Sequence, residues 1–325
     1  MTPLERALRE RIAAEGPITV ETFMEACNQY YYATRDPFGA AGDFTTAPEV
    51  SQTFGEMVGA CLADAWARAG KPPTAVYAEL GPGRGTLAAD ARRVLRAAAF
   101  GGPAHLVETS PTLREMQKNA LSNASWHDSV EQLPVAPLLL VANEFLDSLP
   151  IRQMVQGTER RITTLAGGLA FDRGGEIIEL SPVREASVAA VADRLVKHGG
   201  AALFIDYGHE RSAKGETLQA VRRHGFSPVL ANAGEQDLTS HVDFEAVARA
   251  ARNAGAQVTS VVEQGQWLTR LGIEGRAGSL ASSNPERSKD IQAALERLTS
   301  ADQMGRLFKV IAIHSPEWPV PAGFA

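Results

Sequence analysis

Residues 76–87 read VYAELGPGRGTL, an apolar run that meets an acid at Glu79 and then glycines at positions 81, 83 and 85. That pattern is a turn from strand to helix around a nucleotide. Gly81, Gly83 and Gly85 serve it because a Cβ would push a ligand off the backbone and because the turn needs torsions that other residues resist. A dinucleotide fingerprint, G-x-G-x-x-G, would have its third glycine where this chain has Thr86, so that reading is excluded. A second apolar run, His105-Leu106-Val107, then delivers Glu108. An acid about 20 positions beyond the glycines, at the carboxyl end of a strand, is placed to accept hydrogen bonds from ribose hydroxyls. The alternative is that Glu108 caps the next helix, with Ser110-Pro111 as its start signal.

These residues need a doubly wound α/β scaffold, and the rest of the chain supplies its pattern. Helical periodicity over 87–98 and 112–121 alternates with apolar runs at 124–127, 136–142 and 201–205. Runs with no polar alternation imply a parallel sheet covered on both faces. Two of them end in Asn143-Glu144 and Asp206-Tyr207-Gly208. Residues 150–182 change to short alternating stretches split by Gly167-Gly168 and Gly174-Gly175, read as antiparallel hairpins inserted in the main sheet. Helices over 185–198, 244–253 and 290–298 and strands over 257–262 and 307–314 complete the pattern. The expected layout is a helical region and lid at 1–70, the two halves of the sheet at 71–149 and 200–325, and insertions at 150–199 and 209–240. The second insertion is polar and too long for a simple connection.

Composition fits one chain with a large core: 325 residues, 44% hydrophobic, 22% charged. A net charge of −6 gives no broad basic face for nucleic acid. The two cysteines, Cys27 and Cys61, build no disulfide framework, and no Cys/His cluster has metal-ligand spacing. No apolar run approaches the roughly 18 residues of a membrane span. Residues 4–15 carry Arg6, Arg9 and Arg11, but Glu5, Glu10 and Glu15 interleave them. Targeting peptides avoid acids, so a cytoplasmic address is expected.

The acidic-x-Gly-x-Gly-x-Gly turn resembles motif I of class I S-adenosylmethionine (AdoMet) methyltransferases. Six segments extend that resemblance to the MidA-like family: GDFTTAPEVSQTFGEMV (42–58), ELGPGRGTL (79–87), ANEFLDSLP (142–150), IDYGH (205–209), DLTSHVDF (237–244) and MGRLFKVIAI (304–313). The resemblance implies a Rossmann-like seven-stranded sheet with an N-terminal helical region. It also implies AdoMet-dependent methylation of an arginine in a partner protein, which for mitochondrial members is a respiratory complex I subunit carrying symmetric dimethylarginine. Within it, Gly42 and Asp43 belong to a lid over the cofactor, with Asp43 meeting the positively charged methionine end. Asn143 joins the cofactor set, and Asp128 sits where many class I enzymes place an acceptor for the adenine amino group. Thr46 starts the helix that follows the lid, with Glu49 as its first-turn acid.

A guanidinium substrate makes a chemical demand of its own. It is always charged and presents a planar fork of donors, so its site should hold carboxylates. Ligands of open α/β sheets bind outside the carboxyl ends of the strands, where Glu144, Asp147 and Asp206 fall, and these are the candidate catalytic residues. The bland readings are a helix cap for Asp147-Ser148, a turn for Asp206 and local backbone contacts for Asn143. His241 reads as structural beside Asp243, the N-cap of the next helix, while His209 could face the site. Tyr30, Tyr31 and Tyr32, with Arg35, either bind a target or pack the N-terminal helices. Three functions stand: a protein-arginine methyltransferase, an AdoMet enzyme for a small amine, amide or hydroxyl, and a non-catalytic assembly factor. A protein partner and a homodimer through apolar surface near the insertions are expected.

Overall fold

The computed structural model describes residues 1–34, 43 and 45–324, so the expectation for Gly42 lies outside the described residues. At its centre Val76–Leu80, Ala104–Val107, Ala124–His127, Leu138–Asn143 and Gly200–His209 lie parallel, and Phe308–His314 lies antiparallel beside Gly200–His209. From one edge the order is Gln257–Val258, Phe308–His314, Gly200–His209, Leu138–Asn143, Val76–Leu80, Ala104–Val107, Ala124–His127. The expected count of seven needs correction. Two-residue strands at Val242–Asp243 and Val262–Glu263 also pair with this sheet, which brings it to nine strands among the described residues.

Every residue of Val76–Leu80, Leu138–Asn143 and Phe308–His314 is buried, as continuous apolar runs require when helices cover both faces. Alternate side chains separate cleanly. Tyr77, Leu139 and Val141 pack on one face against helices Gln52–Arg68 and Thr86–Ala97, while Ala78, Leu138 and Leu140 pack on the other against Pro182–His198 and Phe244–Asn253. Gly55 and Gly59, one turn apart, let the first two helices touch: a Cβ on Gly59 would stand 2.6 Å from the Ala91 carbonyl oxygen. Asp243 caps its helix as expected, its Oδ1 accepting from the Ala246 amide at 3.0 Å.

The hairpins of 150–182 are not part of the main sheet. They build two separate three-stranded sheets, one of which recruits Ile18–Thr19 opposite Arg161–Leu165, and the polar stretch 209–240 contains a third, with Gln219–Arg222 between Gly225–Ser227 and Asp237–Thr239. Turn residues announced the hairpins, but pairing partners so distant in sequence leave no local trace. The expected strand at 257–262 is interrupted because the Thr259 hydroxyl takes the Ala312 amide at 3.0 Å in place of a backbone carbonyl. Leu8, Phe23, Cys27, Ile151, Ile162, Ala220 and Leu238 share one core, so the N-terminal helices and both insertions pack as a single cap. Among the described residues no helix is long and apolar enough to cross a membrane.

Candidate active site

Between the carboxyl ends of the strands and that cap lies a cavity of about 980 Å³, at the upper end of small-molecule sites. Glu79, Gly81, Gly83, Glu108, Asn143, Glu144 and Asp147 all line it. The glycine turn behaves as its composition requires. Gly81 and Gly83 have φ of 60° and 52°, and Gly85 at 83° is the left-handed residue before helix Thr86–Ala97. A Cβ on Gly81 would come within 2.9 Å of the Phe145 ring. Gly85 itself does not line the cavity; it sets the entry angle of the helix.

Glu108 is not a helix cap. That task falls to Ser110, whose Oγ accepts from the Leu113 amide at 3.3 Å, with Pro111 at the first helical position. Instead the Glu108 carboxylate accepts from the Ser110 amide at 2.8 Å and from Gln117 Nε2 at 3.2 Å, and burial raises its pKa. Burial likewise pushes the Glu79 carboxyl up to about 8, against a 2.6 Å hydrogen bond donated by the Tyr77 hydroxyl. Gln117 escaped sequence reasoning because a polar residue on an ordinary helix gives no signal. Fully buried, it donates to the Gly83 carbonyl at 2.7 Å as well as to Glu108, and accepts from Trp126 Nε1 at 2.8 Å. It therefore locks the glycine turn to the acid of the next strand. Gln117→Ala strands several buried partners, each at a cost of about 1–3 kcal/mol. Calorimetry should show S-adenosyl-homocysteine binding weakened about tenfold or more; unchanged affinity would refute this coupling.

A cofactor with a ribose and a charged amino-acid tail fits these residues. The turn has room only for hydrogen at Gly81, and the buried Asn143 Oδ1 has no partner within the protein. Two residues expected at the cofactor, Asp43 and Asp128, do not line the cavity. Asp43 stays off the cavity wall, accepting from the Tyr31 hydroxyl and the Arg223 amide, each at 2.7 Å, and its carbonyl accepts from the His224 amide at 3.0 Å. It secures a two-residue turn in which Arg223 and His224 both have positive φ (51° and 61°), a geometry that favours glycine or asparagine. Asp128 is also off the wall, exposed and paired with Arg114 at 2.6 Å. Thr46 does begin helix Ala47–Val50, and Glu49 accepts from the Thr86 hydroxyl at 2.6 Å and pairs with Arg84 at 3.6 Å.

Two of the expected acids, Glu144 and Asp147, line the same cavity. Glu144 has φ of 50°, a left-handed torsion that costs a non-glycine residue energy, and its Oε1 accepts from the Ala47 amide and Asn143 Nδ2, both at 3.1 Å. Burial, reinforced by Asp147, pushes its pKa up to about 8. Asp147 is buried with an Oδ1 that no protein group satisfies, and its pKa is raised by burial. Asp206, expected beside them, points inward. Its Oδ2 accepts from the amides of Leu146 and Asp147 at 3.0 and 3.2 Å, and it does not line the cavity. The strand-end position was legible; a side chain buried beneath the loop it organises was not. Arg184, itself buried, grips the same loop, donating to the carbonyls of Asp147 and Leu149 at 2.9 and 3.2 Å and to Ser240 Oγ at 2.7 Å. Asp206 and Arg184 thus brace the Asp147 loop, and neither lines the cavity. His241, read as structural, lines both this cavity and a neighbouring one of about 300 Å³, and His209 lines only the latter. Among the described residues no cluster could hold a metal ion.

An open parallel sheet with an acid-Gly-x-Gly-x-Gly turn, a second acid on the adjacent strand and a cofactor cavity above both defines a class I AdoMet-dependent methyltransferase. Residues 57–168 and 158–262 match the family described as S-adenosyl-L-methionine-dependent methyltransferase, and the chain belongs to that family. Its relatives include "Protein arginine methyltransferase NDUFAF7 homolog, mitochondrial" of Drosophila melanogaster, 33% identical over 99% of this chain and 88% of the relative. The Homo sapiens "Protein arginine methyltransferase NDUFAF7, mitochondrial" is 29% identical over 96% of this chain and 83% of its own. A crystal structure from Burkholderia thailandensis, bound to S-adenosyl-homocysteine, superposes with a TM-score of 0.88 at 29% identity, covering 98% of this chain and 93% of that one. AdoMet is the cofactor. The cytoplasmic expectation is overturned, because these curated relatives are named as mitochondrial proteins. The charge pattern that prompted it lies on helix Pro3–Glu15, which is capped by Thr2 and buries Leu8 and Ile12.

Proposed function

We propose that this chain methylates a guanidinium nitrogen of arginine in a partner protein. The observation that carries the reading is an acidic wall: Glu144 and Asp147 line the cavity, and among the described residues neither forms an ion pair with a cation. Relatives named as protein arginine methyltransferases support it. Methyl transfer from a sulfonium is an in-line displacement governed by position, and it needs no metal. AdoMet, when bound, supplies the methyl group, and its sulfur keeps the electron pair of the broken bond. The protein's part is to hold the guanidinium fork against Glu144 and Asp147, concentrate electron density on one nitrogen, and take the proton which that nitrogen releases as it becomes methylated. Glu79, Glu108, Gly81, Gly83 and Asn143 hold the cofactor in this proposal, with Gln117 bracing the first two elements. The expected homodimer also belongs to it, with Leu165, Ile178 and Leu180 as exposed apolar residues of the insertion.

The pH dependence follows from the raised carboxyl. With Glu144 at about 8 against an ordinary 4.5, the ligand-free protein holds a proton that the unfolded chain would have lost between those values. Its contribution to stability is therefore fullest below 4.5 and is lost as pH rises toward 8. A bound cation favours the ionised form, so affinity for arginine should rise over the same interval. Methylation of acetyl-Gly-Arg-Gly-amide should accelerate from pH 6 to 8.5, with its lysine counterpart left unmodified. A flat profile, or equal use of lysine, would count against the guanidinium reading.

A further inference from the structure

A third acid, which the sequence placed within a family segment but gave no role, shares the wall. Asp237 begins the strand Asp237–Thr239 in the second insertion, is 5% exposed and lines the same cavity as Glu144 and Asp147. We infer that Asp237 is a substrate-binding residue which, with Glu144 and Asp147, completes a three-sided carboxylate cradle for the guanidinium, and that Tyr32 is its positioning residue. The inference rests on the reading above and adds to it the residue that selects a guanidinium over simpler cations.

The positioning comes from one face of helix Val20–Thr34. Tyr32 donates its hydroxyl to Asp237 Oδ1 at 2.8 Å, and its carbonyl accepts from the Ser110 hydroxyl at 2.8 Å, beside the Glu108 turn. One turn earlier, the Asn28 side chain acts as a strand edge would: it donates to the Leu238 carbonyl at 2.8 Å and accepts from the Leu238 amide at 3.2 Å. The same side-chain nitrogen donates to the Ser148 carbonyl at 2.8 Å, and the Ser240 amide donates to the Asp147 carbonyl at 3.1 Å. Asn28 and Tyr32, four apart and so on one helical face, thereby tie the segment bearing Asp147 to the strand bearing Asp237.

Geometry and charge explain what such an arrangement selects. A guanidinium has five N–H donors spread around a plane, and two carboxylates accept at most four of them in paired fashion. A third carboxylate on another side meets the remaining edge; an ammonium, a compact point charge, gains less from a spread of acceptors. The site is built against its own charge while empty. Burial, then Asp147, pushes the Asp237 carboxyl up to about 7 despite the Tyr32 hydrogen bond, and Asp43 adds to the repulsion. Glu144 is raised by burial and by both Asp147 and Asp237, whereas the Tyr207 side chain and the buried Arg184 work in the other direction on Asp147. While the cavity is empty these three carboxyls hold their protons more tightly than free acids do, and an arriving cation favours their ionised forms.

The test is calorimetric titration of the enzyme loaded with S-adenosyl-homocysteine, using acetyl-Gly-Arg-Gly-amide and its lysine counterpart between pH 6 and 8.5. Asp237→Asn should weaken arginine-peptide binding on the order of tenfold or more, narrow its margin over lysine, and flatten the pH dependence near 7, with S-adenosyl-homocysteine affinity unchanged. Tyr32→Phe removes the hydrogen bond that favours the ionised acid, so it should move that pH midpoint upward, which mere loss of packing would not. Arginine-peptide affinity and pH profile within twofold of wild type in Asp237→Asn would overturn the inference while leaving the proposed function standing. Should Asp237→Asn fail to fold, an unmoved midpoint in Tyr32→Phe overturns it alone. A wild-type enzyme that binds S-adenosyl-homocysteine but neither peptide would bring down the proposed function, and this inference with it.

Discussion

Glu144→Gln is expected to lower kcat/KM for an arginine peptide by about 10²–10³, while the Kd for S-adenosyl-homocysteine moves by less than about threefold. Removing one member of a desolvated, hydrogen-bonded charge pair costs roughly 2–5 kcal/mol, and about 3–4 of these correspond to the stated loss. The neutral amide keeps the shape of the side chain and an oxygen to accept from the Ala47 amide, so the left-handed turn at Glu144 should survive. The hydrogen bonds of the glycine turn and Glu108 run to Gln117 and Ser110 rather than to Glu144, and Asn143, which does donate to Glu144 Oε1, keeps an acceptor in the amide oxygen. Retained turnover in this variant would mean that the acidic wall does not grip the substrate. Lost cofactor affinity would mean that Glu144 belongs to the other half of the site.

Gly81→Val should give the opposite division, with affinity for S-adenosyl-homocysteine reduced at least about a hundredfold. A β-branched residue at φ of 60° is an outlier, and its Cβ would press into the Phe145 ring at 2.9 Å. Phe145 lies between Glu144 and the loop of Asp147, so relief by moving the ring would disturb both halves of the cavity. Equilibrium binding read beside thermal unfolding separates the effects. Undiminished affinity in a folded variant would remove the glycine turn from the cofactor site.

What could be read from the sequence follows a physical division. Strands Val76–Leu80 and Leu138–Asn143 declared themselves because burial on both faces demands unbroken apolar runs, and the placement of Gly81, Gly83 and Glu108 on the cavity wall was legible because a turn and a strand end are local features. The rule that ligands gather at carboxyl ends points to Glu144 and Asp147, and both line the cavity. The same rule misled for Asp206, since position along a strand does not say whether a carboxylate faces solvent, ligand or the amides beneath a loop. Asp43 was misread for a related reason: its partners, Tyr31 and the turn at Arg223, lie on elements whose meeting no local pattern encodes. Gln117, Arg184, Tyr32 and Asp237 act through contacts between segments far apart in the chain. The Asp237–Tyr32 hydrogen bond spans 205 positions, and only the shared core of cap and insertions brings its two ends together.

Transfer of a labelled methyl group in a cell extract tests arginine methylation most directly. The purified enzyme is incubated with AdoMet labelled in its methyl group and a protein extract from cells lacking this chain, and labelled residues are identified by peptide mass spectrometry. Label on arginine guanidino nitrogens of a small set of proteins, absent with Glu144→Gln, is the predicted result. Label confined to small molecules, to lysine or to other side chains would contradict it.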